Sequence, residues 1–503
     1  MNNKNRNKNR NKNKKIKLNT KKVEIKTKKR STQRFKIKIR KTLKIRKTFK
    51  KNKNTNKKGG DGVNSTYEGG EAFARGGFGC LFRPALKCKT SEPPPNYVSK
   101  LSLKEDAERE YDYISNIKKR LENLPKDVKD YLLLYNIEMC DPNPLTEEDK
   151  KNMDTICEKN LKRINVKDSI QTISSANINN NLEKFKILNM PQLGMDMNVF
   201  IKQKNLSPSD LININNIIIE YISIVIPNLF KRGVVHGDIK SENMMFKLND
   251  TTMPVLIDWG LSFTADEGSK EVPKALYSLA TQWHHPFSSF LFRTSLIEEY
   301  NIFVEKLTEN GVEVTRDTIL PYALSIYSNF ITRHSSQFMS LYEIFYNMYM
   351  ENFMKYFNKN EILNDENLIM YNITLNYIIQ YILDVLIAYT INYKLDLGRF
   401  FNEVYIKNAD IWGVISLYYD LFQKKRENFN LTDKEYKIYM NMVLNVMLEN
   451  VFKNGNKVID VTKLATDIKK LNTYLMGIKS KKIMGMKPQL PPRVNDLFRP
   501  VTI

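Results

Sequence analysis

The chain has 503 residues, 42% of them apolar, which is enough for a large core and too many for wholesale disorder. Its formal net charge of +25 is local: residues 1–58 hold 27 Lys and Arg against one acid, Glu24, and the rest holds 53 basic and 54 acidic side chains. A uniformly basic, nucleic-acid-coating body is therefore excluded, because the charge belongs to one end.

In chain order, residues 1–62 form a self-repelling Lys/Asn-rich arm with too few large apolar residues to build a core, so disorder is expected there. Such an arm suits a nuclear address or a non-specific grip on nucleic acid or another polyanion through residues 1–60, and compositional drift accounts for it equally well. No apolar run opens the chain, so no secretory signal is expected, and a place in the cytoplasm or nucleus of a host cell, or in a virion, is expected instead. Cys80, Cys88, Cys140 and Cys157 stand singly, with no C-x-x-C pair, and are expected to be four reduced thiols.

Residues 67–193 alternate short extended runs with one clear helix, giving a small mixed lobe. Tyr97–Leu101 has the pattern of a strand, and Glu105–Leu121 that of an amphipathic helix with Ala107, Glu110, Ile114 and Ile117 on one face. A polar, Asn-rich stretch at 141–182 is expected to be an irregular insert. Phe185–Met190 is a further strand, closing in Pro191-Gln-Leu-Gly194. Residues 194–503 are mostly helical, starting with an apolar helix over Leu211–Lys231 that stops at Gly233. Short strands Met244–Lys247 and Val255–Ile257 flank the turn Asn249-Asp250-Thr251, and residues 287–477 are helical and rich in Tyr, Phe, Ile and Leu. The most apolar stretches, Ile217–Phe230 and Tyr377–Tyr393, are broken by Glu220 and by Gln380 and Asp384, so they are expected to be buried helices, not membrane spans.

The chemistry-bearing residues come in a recognisable order. Val234-Val-His-Gly-Asp-Ile-Lys-Ser-Glu-Asn-Met-Met-Phe246 resembles the H-R-D-x-K-x-x-N loop of protein kinases, and Val255-Leu-Ile-Asp-Trp-Gly260 resembles their D-F-G turn. Upstream, Ala74-Arg-Gly-Gly-Phe-Gly-Cys-Leu81 resembles the glycine-rich loop, with Ala74 in place of the first glycine and Leu81 in place of the valine. Tyr97-Val-Ser-Lys100 resembles the strand that ends in the phosphate-contacting lysine. Far downstream, Ala409-Asp-Ile-Trp-Gly-Val-Ile-Ser-Leu-Tyr-Tyr-Asp-Leu-Phe422 resembles the buried helix whose aspartate caps the catalytic loop.

The resemblance implies an α+β, bilobal fold and an ATP-dependent serine/threonine protein kinase acting on protein hydroxyls, with Mg2+ or Mn2+. Asp238 would accept or orient the substrate hydroxyl proton, Lys240 would neutralise charge on the γ-phosphoryl, and Asn243 and Asp258 would hold the metal. His236 and Asp410 would support the loop. ATP would lie among Ala74, Arg75, Gly76, Gly77, Phe78, Gly79, Leu81 and Lys100. Glu110 would orient Lys100, although this spacing is shorter than is usual in the family. Met190, Gln192 and Leu193 would fall at the gatekeeper and hinge.

The chain also departs from the pattern. A-P-E is missing, with Trp283-His-His-Pro-Phe-Ser-Ser289 in its place, and about 120 residues separate that stretch from Asp410, implying a helical insertion over 287–405. Such a combination resembles the divergent kinases of large DNA viruses. Gly237 replaces the arginine that receives an activating phosphate in many kinases, which implies activity independent of phosphorylation at Ser269, Ser278 or Thr281. Aminoglycoside and choline kinases share H-G-D-x-x-x-x-N and I-D-W, so a small-molecule kinase is the first rival. A pseudokinase scaffold is the second.

Overall fold

The computed structural model describes residues 70–484 apart from 76–78, 158–164, 167–168, 171–172, 267, 270, 332–335 and 357–365. The basic arm at 1–62, and Gly76, Gly77 and Phe78 of the glycine-rich stretch, lie outside the described residues.

The expected α+β class holds. The N-terminal part contains β1 (Glu71–Arg75), β2 (Gly79–Arg83), β3 (Tyr97–Leu103), β4 (Glu138–Cys140), the short pair β5 (Asn165–Val166) and β6 (Ser169–Ile170), and β7 (Phe185–Pro191). Five of these strands form one antiparallel sheet in the order β1-β2-β3-β7-β4. Because side chains alternate between the faces of a strand, the register sorts them into two sets. Cys80 stands opposite Leu101, which stands opposite Ile187, and all three are buried on one face. Leu81 stands opposite Lys100, which stands opposite Leu188, on the other.

The first face is closed by the 141–182 stretch. It is irregular, as its composition implies, but it is no mere surface insert: Leu145, Met153, Cys157, Ile173, Ile178 and Leu182 belong to the same buried cluster as Leu101 and Ile187. These apolar residues follow no period, so nothing in their spacing announces a core contribution. A second correction concerns the cysteines. Cys80 is bonded to Cys157 and Cys88 to Cys140, across sequence separations of 77 and 52. The sequence pattern cannot show this, because sheet pairing and the folded-back insert create both encounters.

Helix α1 (Lys104–Arg120) directly follows β3 and buries Ala107, Ile114 and Ile117. Beyond the sheet, Ser207 and Asp210 form a reciprocal capping box at the start of α2 (Pro208–Glu220), with proline in its first turn. A π-helical turn over Tyr221–Val225 carries it into Ile226–Phe230. By length and composition the Pro208–Phe230 helix could cross a membrane, and half of its most apolar window is buried within the protein. The buried Asn215 on it donates to Asn472 of the helix Val461–Met484 at 2.8 Å and accepts from Tyr418 at 2.9 Å.

Two small antiparallel pairs follow: β8 (Val234–Val235) with β11 (Phe263–Thr264), and β9 (Met244–Lys247) with β10 (Asp250–Leu256). They hold the segments 236–243 and 257–262 side by side. Further on come α3 (Thr294–Glu309), α4 (Arg316–Ile331), α5 (Ser336–Tyr356), α6 (Glu366–Tyr389) and α7 (Ile406–Ile415). The 287–405 stretch is thus largely helical, and it joins α7 through aromatic rings: Trp412 lies 4.9 Å from Phe287 and 5.5 Å from Tyr381.

Helix α7 comes close to the 236–243 segment at a glycine. A Cβ on Gly413 would stand 2.7 Å from the Ile239 carbonyl oxygen and 2.9 Å from the Ile239 Cβ. Gly413→Ala is therefore expected to lower stability by about 1–3 kcal/mol, as overpacking does. Urea unfolding measures it, and a wild-type midpoint would mean that the helix and the segment are not in this contact.

Candidate active site

The 236–243 segment is fixed from below by one carboxylate. Asp410 on α7 accepts the backbone N–H of His236 at 2.8 Å and that of Gly237 at 2.9 Å. Asp410 is buried, and burial raises its carboxyl pKa, while the His236 ring and the two N–H groups work to lower it. Gly237 has φ +73°, and a Cβ there would meet the Leu261 carbonyl oxygen at 2.9 Å, so a side chain at this position would be strained twice over.

His236 ties the segment to the neighbouring strand. Its Nε2 lies 3.0 Å from the Ile257 carbonyl oxygen, and its ring packs edge-on against Trp259 at 4.7 Å. The Ile257 N–H in turn donates to the Asn243 carbonyl oxygen at 2.9 Å. Both ends of the segment thus grip the strand that leads into Asp258.

Asp238 is the centre of the arrangement and is only 4% exposed. Lys240 Nζ donates to both of its oxygens, at 2.9 Å to Oδ1 and 2.7 Å to Oδ2. Asn243 Nδ2 donates to its Oδ2 and to its backbone carbonyl, each at 2.8 Å. A third partner is His284, whose Nε2 lies 2.7 Å from Oδ1. Burial works to raise the Asp238 carboxyl pKa, but the His284 hydrogen bond, followed by the Lys240 charge and hydrogen bond, outweighs it and holds the group well below the ordinary carboxylate range. Asp238 is therefore a fixed anion, suited to orienting a proton donor more than to storing a proton.

Asn243 spends its amide N–H groups on Asp238, which leaves its Oδ1 as an acceptor without a partner among the described residues. Asp258 has φ +61°, is exposed, and likewise has no hydrogen-bond partner among them. These two oxygen donors are of the kind a hard divalent cation takes.

On the sheet, the lysine that ends the Tyr97-Val-Ser-Lys100 run meets Glu110 of α1 in a two-pronged ion pair, at 2.8 Å to Oε1 and 2.7 Å to Oε2. Leu81 stands directly across from Lys100, and Ala74 across from Leu81. Ala74, Leu81 and Lys100 therefore share one sheet face, and Met190, paired with Val98, lies at its far end. Gln192 donates its N–H to the Asn96 carbonyl oxygen at 2.8 Å. The stretch after Leu193 reaches the other candidates: Gly194 N–H donates to the Phe246 carbonyl oxygen at 2.8 Å. Arg75 and Gly79 end β1 and start β2, on either side of the residues that are not described.

Sequence reasoning assigned no role to His284 and His285. His285 Nε2 lies 3.1 Å from the Gly237 carbonyl oxygen, next to the His284 contact. The available signal was compositional, since two of only four histidines in the chain are adjacent. Ligating atoms of Asp238, His284 and His285 lie within 4.8 Å of one another, a spacing that could hold a metal. The Lys240 ammonium on Asp238, and the hydrogen bonds already made by both rings, fit a hydrogen-bonded clamp better than a metal centre.

No protein-family model matches the chain, and no curated protein matches it.

Burial, then the neighbouring His284, push the His285 pKa from 6.5 down to about 3. The unfolded chain therefore takes up this proton first, so the contribution is intact above pH 6.5 and is lost as pH falls toward about 3. We expect the urea midpoint to fall between pH 7.5 and 5.5, and to fall less steeply in His285→Gln. Identical pH slopes would contradict the burial of His285 as a neutral ring.

Proposed function

We propose that the protein is an ATP-dependent phosphotransferase of the protein-kinase type, acting on protein serine or threonine hydroxyls. The observation that carries this reading is the Asp238 cluster. An anion bridged by Lys240, braced by Asn243 and suspended from Asp410 has the parts that in-line phosphoryl transfer requires, in the chain order of the resemblance.

In this reading the sheet face bearing Ala74, Leu81 and Lys100 takes the adenosine and phosphates, with backbone groups near Gln192 and Leu193 at the adenine edge. Glu110 keeps the Lys100 ammonium over the phosphates in place of free rotation. Asn243 and Asp258 would hold a divalent cation, which would supply positive charge to offset that of the phosphates. Asp238 orients the acceptor hydroxyl, and its low proton affinity suits a step in which the proton leaves late. Lys240, already shared between the carboxylate oxygens, is placed to follow charge onto the transferred group. Residues 1–60 would add affinity for nucleic acid or another polyanion without taking part.

A small-molecule acceptor is the second reading, favoured by the literal His236-Gly-Asp238 and Ile257-Asp-Trp259 strings. Lys240, two residues past Asp238 and bonded to it, argues for a protein acceptor.

The test is transfer of labelled γ-phosphate with magnesium or manganese to mixed proteins, free choline and aminoglycosides. Label is expected on protein, and Asp238→Asn is expected to reduce it by about 10^2-fold or more. Label on choline or an aminoglycoside alone would move the assignment to the small-molecule class. A silent wild type would leave a scaffold.

A further inference from the structure

The stretch between the short helix Lys274–Ser278 and the turn Phe287–Phe292 comes back onto the 236–243 segment at two adjacent points. His284 reaches the Asp238 carboxylate at 2.7 Å and His285 the Gly237 carbonyl at 3.1 Å. From behind, the buried Gln337 on α5 donates to the carbonyl oxygens of His285 and Pro286 at 2.8 and 3.0 Å. Trp283 packs on Tyr419 at 5.5 Å. The two imidazoles are thus pinned from both sides and are not loosely laid on the surface.

A carboxylate offers only acceptors, so the ring atom facing it must donate: His284 bears its proton on Nε2. Its other nitrogen, Nδ1, is buried and has no hydrogen-bond partner among the described residues. A residue needed only for packing would not carry a buried polar atom unmatched, since an apolar ring of the same shape would avoid that desolvation cost.

We propose that His284 is a positioning residue for Asp238, its Nε2–H fixing Oδ1 of the carboxylate from outside the 236–243 segment. The proposal rests on the phosphotransfer reading. Of the donors on Asp238, Asn243 holds Oδ2, whereas Oδ1 receives only the Lys240 ammonium and His284. The Lys240 ammonium follows the transferred phosphoryl group in that reading, so without His284 nothing rigid holds Oδ1 and the carboxylate can turn away from the acceptor hydroxyl. His284 and His285 also lock the 279–286 stretch onto the segment directly, at neutral rings. No phosphate is required for that, and Gly237 could not have received one.

The variants are His284→Phe, which keeps an aromatic ring and drops the donor, and His284→Gln, whose amide restores a donor at similar reach. In phosphotransfer assays His284→Phe is expected to lose about 10- to 100-fold in kcat, the scale of a small misplacement, with KM for ATP unchanged. His284→Gln should recover most of that loss. A fully active His284→Phe, or a loss that lies in KM for ATP, overturns the proposal. A second readout needs no turnover: with four histidines in the chain, imidazole 15N spectra can be assigned. They should show His284 as the neutral Nε2–H form, with a hydrogen-bonded proton that shifts in Asp238→Ala. A proton on Nδ1, or no response to Asp238→Ala, overturns the contact itself. A wild type inactive on every acceptor overturns the phosphotransfer reading, and the positioning role falls with it even where the spectrum shows the contact.

Discussion

The Asp410 carboxylate accepts the His236 and Gly237 N–H groups at 2.8 and 2.9 Å, and the site is suspended from that pair of bonds. Hydrogen bonds to a buried charge are each worth roughly 1.5–3 kcal/mol, and leaving such donors unmet costs their full desolvation. With those two N–H groups tied down, the next residue has little freedom, and Asp238 is delivered to Lys240, Asn243 and His284. The same geometry explains two small residues: Gly237 takes a backbone conformation that a side chain would strain, and Gly413 lets the Asp410 helix come near enough.

A second feature belongs to the N-terminal sheet. The Lys100–Glu110 pair joins the middle strand of the sheet to the helix that follows it, with both side chains nearly buried. Buried ion pairs seldom add net stability, because desolvation offsets their attraction. What this pair supplies is direction: it fixes a cation on the sheet face that also carries Leu81 and Ala74. The molecule therefore holds two rigid charge clusters, one a cation oriented by an acid, the other an acid oriented by a cation, an amide and an imidazole.

Much of this was legible in the sequence, for identifiable reasons. The Glu105–Leu121 periodicity placed Glu110 on the inward face, and it is the glutamate that Lys100 meets. The Met244–Lys247 strand and the helix ending near Gly233 followed from local signals, an apolar run beside turn residues in one case and a glycine stop in the other. What could not be read came from long-range encounters without a period. The cysteine pairs depend on sheet register, and the 141–182 stretch contributes core residues at irregular intervals. His284 and His285 lie in a loop 46 and 48 residues from their partners, so only the folded chain joins them. The fold gives Trp283-His-His-Pro286 its content: the two imidazoles meet Asp238 and the Gly237 carbonyl.

The most direct measurement of the account is amide hydrogen exchange at His236 and Gly237, in wild type and in Asp410→Ala. If the carboxylate suspends the site, both amides in wild type exchange only through global unfolding. In Asp410→Ala they should exchange at least ~10-fold faster than the amides of Val234 and Val235 beside them, as loss of more than 1.4 kcal/mol of local protection requires. Fast exchange of these two amides in wild type, or unchanged protection in Asp410→Ala, would contradict the claim that Asp410 holds the loop.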